Sequence, residues 1–253
     1  MTASLDIAGR VASISLNRPD TGNLIDFGLA YTLADLASEV RQDDDVWVVV
    51  VKAEGPDFCQ GTDPEALSAV ALDDTRLADL RVAQSIAAIE KPVVCSLQGS
   101  VNDQGFEIAL ACDLRIADSD ATFSMRQVQS GGMPWDGGTQ RLPRIVGRSR
   151  AVELLMTGRT LEANEARAIG LLNEIVEPGD ATRRALELAE TMASHGPTAL
   201  RYVKEAVLAG SDGSLTSGLR LEADLSFLLQ STSDRHEGIS SFLERRAPEF
   251  SGE

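Results

Sequence analysis

Residues 102–107 read Asn-Asp-Gln-Gly-Phe-Glu and run straight into the apolar text IALACDLRIA. A buried carboxylate without a partner is costly, so Glu107 needs either a partner or a task. Two loops invite comparison, FCQGTD around Gly61 and NDQGFE around Gly105, each following an apolar run. If those runs are neighbouring strands, both loops emerge at the sheet edge where α/β folds bind ligands. The backbone amides of Thr62 and Gln104 then converge. The second sits at a helix N-terminus, where amides lack acceptors and the dipole end is positive. Two such donors form an oxyanion hole, which holds negative charge developing on a carbonyl oxygen. Glycine turns after strands, taken alone, are usually just turns. The sequence contains no His-Asp-Ser arrangement, no phosphate-binding glycine motif and no metal-ligand cluster. His195 and His236 fall in the C-terminal part and read as surface or packing residues.

The elements that must position these residues follow from periodicity. VASISLNRP alternates, with Ala12, Ile14 and Leu16 on one face, and reads as a strand ended by Pro19. Phe27, Leu29, Leu33, Leu36 and Val40 have near-helical spacing. VWVVVVKA, residues 46–53, is short, continuously apolar and β-branched, which suits a strand buried on both faces. Residues 56–64 form a loop, and 76–90 return to helical spacing. Pro92 opens a second apolar strand, followed by the NDQG turn, a helix to about Cys112 and the strand LRIA. This order implies crossover connections and a largely parallel sheet, hence an α/β fold.

From Ser149 the text is mostly helical. Two stretches end at glycines placed for C-terminal caps, and Pro197 suits the first turn of a further helix. Two amphipathic stretches, about 215–230 and 234–246, finish the chain. The division expected is a core of strands and helices over 1–195 and a helical subdomain over 196–253. That subdomain packs either on another subunit or back on its own core.

Composition bounds the partners. The chain has 253 residues, with 23 basic and 39 acidic side chains and a formal charge of −16. That field argues against nucleic acid as a partner and requires a local basic island if the ligand carries phosphates. No run reaches the length of a membrane span, and the first residues carry no secretion signal. Cys59, Cys95 and Cys112 are too few and too widely spaced for a disulfide framework or a zinc site. A cytoplasmic location is expected.

The motifs together carry a resemblance. ISLNRPDTGNLI, VVVVKAEGPDFCQGTD, GSVNDQGFEIALACDLRIADSDATFSM, GGTQRLPRIVGRSRAVELLMTGRTLEANEARAIGLLNEIV and RHEGISSFLERRAPEF occur in that order over nearly the whole chain. They resemble the enoyl-CoA hydratase/isomerase, or crotonase, superfamily. The resemblance implies a spiral of ββα units with a C-terminal helical part that builds homotrimers, often paired into hexamers. It implies an acyl-CoA thioester as ligand, with no cofactor besides the coenzyme A of the substrate. Thr62 and Gln104 match the oxyanion amides, and Glu107 matches the glutamate that orients and deprotonates the attacking water. Leu24, Gln60, Asp63, Asp103, Trp135 and Arg245 complete the expected substrate and CoA contacts. Arg245 falls where a basic residue meets the nucleotide end of CoA, or is a solvated charge. Asp63 is expected to make a turn hydrogen bond, while Asp103 lies on a loop facing the substrate.

The departures from the family pattern cluster. Gln127 stands where hydratases carry a second glutamate, and a carboxamide cannot donate a proton as an acid. General acid–base groups contribute on the order of 10²–10⁴ in rate. The usual glycine run becomes Asp103-Gln104-Gly105, and Gln104, having a Cβ, is less free to take positive φ. PGAGG becomes Pro134-Trp135-Asp136-Gly137-Gly138. Trp135 either reshapes the acyl pocket or packs in the core. Asp136 either replaces the missing carboxylate or caps the GGTQRL helix. Hydration by Glu107 leads the expectations. Double-bond isomerisation, cleavage of a C–C or thioester bond, and non-catalytic acyl-CoA binding are the alternatives.

Overall fold

The computed structural model describes residues 2–70 and 74–253. Strands β1 (Ala3–Ala8) and β2 (Val11–Leu16) form a hairpin, and helix α1 (Phe27–Gln42) leads to β3 (Val48–Ala53). Three short helices follow: α2 (Pro64–Val70), α3 (Asp74–Asp79) and α4 (Ala83–Ala87). Next come β4 (Val93–Leu97), β5 (Ser100–Asn102), α5 (Gln104–Ala111), β6 (Leu114–Asp118) and β7 (Thr122–Ser124). Helices α6 (Gly138–Val146) and α7 (Arg148–Thr157), strand β8 (Leu161–Glu162), helix α8 (Ala163–Ala168) and strand β9 (Glu174–Val176) continue the chain. Helix α9 (Ala181–Ala193) precedes α10 (Pro197–Ser211), α11 (Leu215–Leu229) and α12 (Ser233–Glu244).

The main sheet has the order β1-β2-β3-β4-β6-β9. Only the β1–β2 pair is antiparallel within it. A second sheet has the order β5-β7-β8. The continuous valines of β3 are all fully buried, and their alternation divides two cores. Val49 and Val51 join the large cluster with Leu29, Leu33 and Phe58. Val48 and Val50 face the other way, against Ala181, Ala185 and Ala189. Those three alanines recur every four residues on α9, so the helix backbone lies close against the strands.

β3 and β4 are parallel neighbours, with Val49 opposite Val93 and Val51 opposite Cys95. Their following segments therefore leave the sheet side by side, as the sequence argument required. One expectation fails here. The helix read over 76–90 is two helices, α3 and α4, separated at residues 80–82. The interruption is where side chains of the candidate site bind the backbone, as described below.

The expected division at 195/196 falls between α9 and α10. Helix α10 is tied to the core by Lys204, whose Nζ donates to the carbonyls of Ile89 (2.8 Å) and Lys91 (3.0 Å). It also pairs with Asp113 at 2.7 Å. Phe250 returns to pack with the α9 cluster. Among the described residues no helix is long and apolar enough to cross a membrane.

Candidate active site

The first loop is fixed by two isolated bridges. Cys59 donates its N–H to Ser100 O (3.2 Å) and accepts from Asn102 N (2.9 Å). Ile25 donates to Gly61 O (2.9 Å), and Asp63 donates to Ile25 O (2.8 Å). In a parallel bridge the flanking residues make the bonds, so the N–H of Thr62 points away from Ile25. Gly61 has φ +115°, a conformation side chains rarely take. The second loop presses against the first: a Cβ on Gly105 would lie 2.6 Å from the carbonyl oxygen of Cys59.

The turn into α5 holds a correction. The strained residue is Asp103, at φ +49° and ψ −117°, whereas Gln104 is the first helical residue. Such a backbone costs on the order of 1–3 kcal/mol in a non-glycine residue and persists only when neighbours over-determine it. Here they do. Asp103 N donates to Ser124 O (2.8 Å), and Asp103 O accepts from Glu107 N (3.1 Å). The Asp103 carboxylate accepts from Arg126 N at 2.6 Å and pairs with its guanidinium at 3.6 Å. It is thus directed at Arg126. Burial raises its pKa, partly offset by the Arg126 contacts. Neither the Thr62 nor the Gln104 amide donates to an acceptor among the described residues.

Glu107 is fully buried. Its Oε1 accepts from the amides of Asp136 (2.8 Å) and Gly138 (2.7 Å). Its Oε2 has no hydrogen-bond partner among the described residues. Burial pushes the carboxyl up to about 7, the Gly138 amide draws it back, and the Asp136 charge adds to the rise. One Glu107 oxygen thus has partners, and the other has none among the described residues. Of the four buried side-chain polar atoms lacking partners among the described residues, a second is Gln127 Oε1. Gln127 begins a short 3₁₀ turn ending at Gly131, which takes φ +79°.

Asp136 is a cap, but of another helix than expected. Its Oδ2 accepts from Val82 N (2.8 Å) and Ala83 N (2.9 Å) at the start of α4. Helix α6, whose N-cap is Gly137, has no side-chain cap. The same Oδ2 accepts from Gln104 Nε2 at 3.2 Å. Burial raises the Asp136 pKa, and these donors oppose the rise. With three donors on that oxygen, the Asp136 side chain is held in place by the start of α4 and by Gln104. Trp135 is half-buried, packs on the large core and walls a cleft of about 320 Å³. Arg81, Gln84 and Arg141 also line this cleft.

The structure therefore joins Thr62, Gln104, Glu107 and Asp136 through hydrogen bonds and sets Trp135 beside Asp136 in the wall of the cleft. Asp63 accepts from Glu65 N (2.8 Å) and Ala66 N (3.3 Å), the turn role expected of it. Gln60 donates its side chain to Asp57 (2.7 Å), and Leu24 O accepts from Arg18 (3.1 Å). Arg245 is exposed and ends α12 at φ +57°. No described hydrogen bond or ion pair links Leu24, Gln60, Asp63 or Arg245 to Glu107. Sequence reasoning missed the side chain of Gln104, having weighed only its amide. The available signal was an amide-bearing residue in place of small ones at the start of an apolar helix.

This arrangement of parallel strands, paired loops and a helix-borne glutamate is that of the crotonase fold. The pattern of the enoyl-CoA hydratase/isomerase family matches residues 6–253, and the chain belongs to that family. It is 35% identical over 257 residues to an (E)-benzylidenesuccinyl-CoA hydratase of Thauera aromatica, covering 100% of both chains. It is 36% identical over 248 residues to a 2,3-dehydroadipyl-CoA hydratase of Escherichia coli K12, covering 96% of each. A solved enoyl-CoA hydratase from Bacillus anthracis superposes with a TM-score of 0.96 at 32% identity, covering 100% of both chains.

Proposed function

We propose that the protein hydrates an enoyl-CoA with Glu107 as its sole acid–base group, using no cofactor besides the substrate's own coenzyme A. The observation that carries this is the asymmetry of the Glu107 carboxylate. One oxygen is held by two amides and the other is buried and unpartnered, with the pKa near 7. A group with that pKa serves as base and as acid near neutral pH. The thioester oxygen lies between the amides of Thr62 and Gln104. Ionised Glu107 takes a proton from water, the oxygen bonds to C3, and the C2=C3 electrons move toward the thioester oxygen. The carboxylic acid so formed returns its proton to C2, which restores the thioester carbonyl. Gln127 holds the water through its carboxamide and transfers no proton.

Reaction in heavy-oxygen water tests this. Hydration places the label on the C3 hydroxyl, whereas a product with a migrated double bond and no label would establish isomerisation instead. Loss of the carboxylate gives the other distinction, since a mere acyl-CoA binder would have no turnover to lose.

The acyl end is assigned to the cleft beside Trp135. Arg141 lies half-buried there and Arg81 is exposed, two cations on a strongly acidic chain. A guanidinium pairs well with a carboxylate. Succinyl and adipyl, in the names of the two relatives, are dicarboxylic acyl groups. An enoyl-CoA with a terminal carboxylate is therefore the preferred substrate, tested against its equal-length uncharged analogue. Arg245 is assigned to the nucleotide end of CoA. The assembly is a homotrimer or a pair of trimers, supported by the exposed apolar side chains Val203, Val207, Leu215 and Phe227 on α10 and α11.

A further inference from the structure

The side chain of Gln104 has a hydrogen-bond pattern with one solution. The Leu80 carbonyl can only accept, so the atom 2.5 Å from it is the Nε2 donor. The second Nε2 hydrogen is directed at Asp136 Oδ2, 3.2 Å away. Oε1 is then left as acceptor, and the Thr62 hydroxyl, 2.8 Å away, must donate to it. Gln104 is fully buried, so these bonds have no water competing for them. One side chain thus fastens together four backbone segments. They are the first oxyanion loop at Thr62, the start of α5, the break between α3 and α4, and the loop whose Asp136 and Gly138 amides grip Glu107.

The backbone just before it is strained. Asp103 adopts φ +49° and ψ −117°; its bonds to Ser124, Glu107 and Arg126 hold one side of this turn, and the anchored Gln104 side chain holds the other. Relaxation would re-aim the Gln104 amide. Resting on the thioester reading above, we propose that the Gln104 carboxamide is a positioning residue. It locks the strained Asp103 turn so that the Thr62 and Gln104 amides stay aimed at a shared oxyanion, in register with Glu107. It touches no reacting atom. Its effect falls on the step in which charge reaches the thioester oxygen, not on holding the substrate.

The test uses the full-length protein and the variants Gln104→Ala, Gln104→Glu and Thr62→Val. Gln104→Glu sets an acceptor against Leu80 O and Asp136 Oδ2, and Thr62→Val removes a single hydroxyl while leaving the Thr62 amide. Removing the lock is expected to lower kcat by ~10–100-fold with KM changed less than ~3-fold, since misaligned donors weaken transition-state binding first. Thr62→Val should lose ~3–10-fold, one neutral hydrogen bond's share. Bound 3-ketoacyl-CoA, which on loss of its C2 proton to Glu107 or solvent forms an enolate whose charge is shared by the 3-keto and thioester oxygens, should lose its enolate absorbance in the same order.

Adding Asp103→Gly to Gln104→Ala should restore much of kcat, because glycine takes that backbone without strain. A lock that served stability alone would move the melting temperature and leave the kcat-to-KM split and this rescue absent. If folded Gln104→Ala or Thr62→Val retains wild-type kcat and enolate signal, the proposal is overturned while the hydratase reading stands. If wild type is inert toward every enoyl-CoA and shows no enolate signal, both fall together.

Discussion

Around Glu107 the polar groups are engaged inside the chain, whereas along α10–α12 the apolar groups face outward. Gln104 and Glu107 have no exposed surface, while Leu215, Phe227 and Phe242 are 79%, 77% and 81% exposed. The first region is preorganised by bonds the single chain supplies: Asp136 on α4, Gln104 across two loops, Arg126 on Asp103. The second is anchored at few points, chiefly Lys204 against Ile89, Lys91 and Asp113. Exposed apolar faces of that kind are candidates for interfaces, which is the basis of the proposed assembly. The difference separates side chains whose bonds the single chain supplies from apolar side chains that it leaves exposed.

The strongest way to break this comparison is to remove the single unpartnered carboxylate oxygen. Glu107→Gln keeps an acceptor for the Asp136 and Gly138 amides and abolishes proton transfer. Turnover should fall by ~10²–10⁴-fold with CoA binding retained. A loss under tenfold would mean that another group carries the chemistry. The pH profile sharpens the point. The base must be ionised, so kcat/KM should rise with pH and level off above about 7. Stability runs the other way. The folded-state pKa lies above the ordinary 4.5, so the stabilisation is present below that value and is lost as pH rises through about 7. Glu107→Gln should flatten that dependence, which amounts to on the order of 3 kcal/mol. Urea titrations at several pH values measure it.

The outward-facing helices give the second test. Wild type is expected to sediment as more than one chain, with a melting temperature that rises with concentration. Replacing Phe227 and Phe242 together with glutamate should produce single chains and lower the melting temperature by ~5 °C. Wild type sedimenting as one chain at every concentration would leave these helices as mere surface and erase the contrast.

How much of this could be read beforehand differs between the two regions. The valine run of β3 and the order of strand, loop and helix fixed the sheet, because buried parallel strands have a local signature. The positions of Glu107 and of the two glycine loops were legible for the same reason: each is a local motif at a strand end. The role of Asp136 was not. A capping aspartate is recognisable, but the helix it caps begins 53 residues earlier in the chain. The break between α3 and α4 was hidden too, since helical spacing continues through Leu80 while the bonds that interrupt it come from Gln104 and Asp136. The position of the strain was misplaced by one residue. The glutamine was suspected, but helix geometry satisfies Gln104 and throws the positive φ onto Asp103. Tertiary contacts decide all three.

The smallest effect concerns two adjacent arginines at the end of α12. Arg246 grips Glu237 through two bonds, 2.5 and 2.7 Å, and also meets Glu244. Arg245, exposed at the helix end, enters no ion pair with a described acid. If the nucleotide end of CoA is held there, Arg245→Ala should raise KM by ~3–10-fold, leave kcat unchanged and lose its effect as salt rises. Arg246→Ala should instead leave KM alone and lower the melting temperature little, because its charge is already engaged and its site is open to solvent. The pair is informative because both residues carry the same charge in the same acidic protein. A KM that responds equally to both would point to a general field effect. A response to Arg246 alone would put the nucleotide end elsewhere, and only the asymmetric result assigns the contact to Arg245.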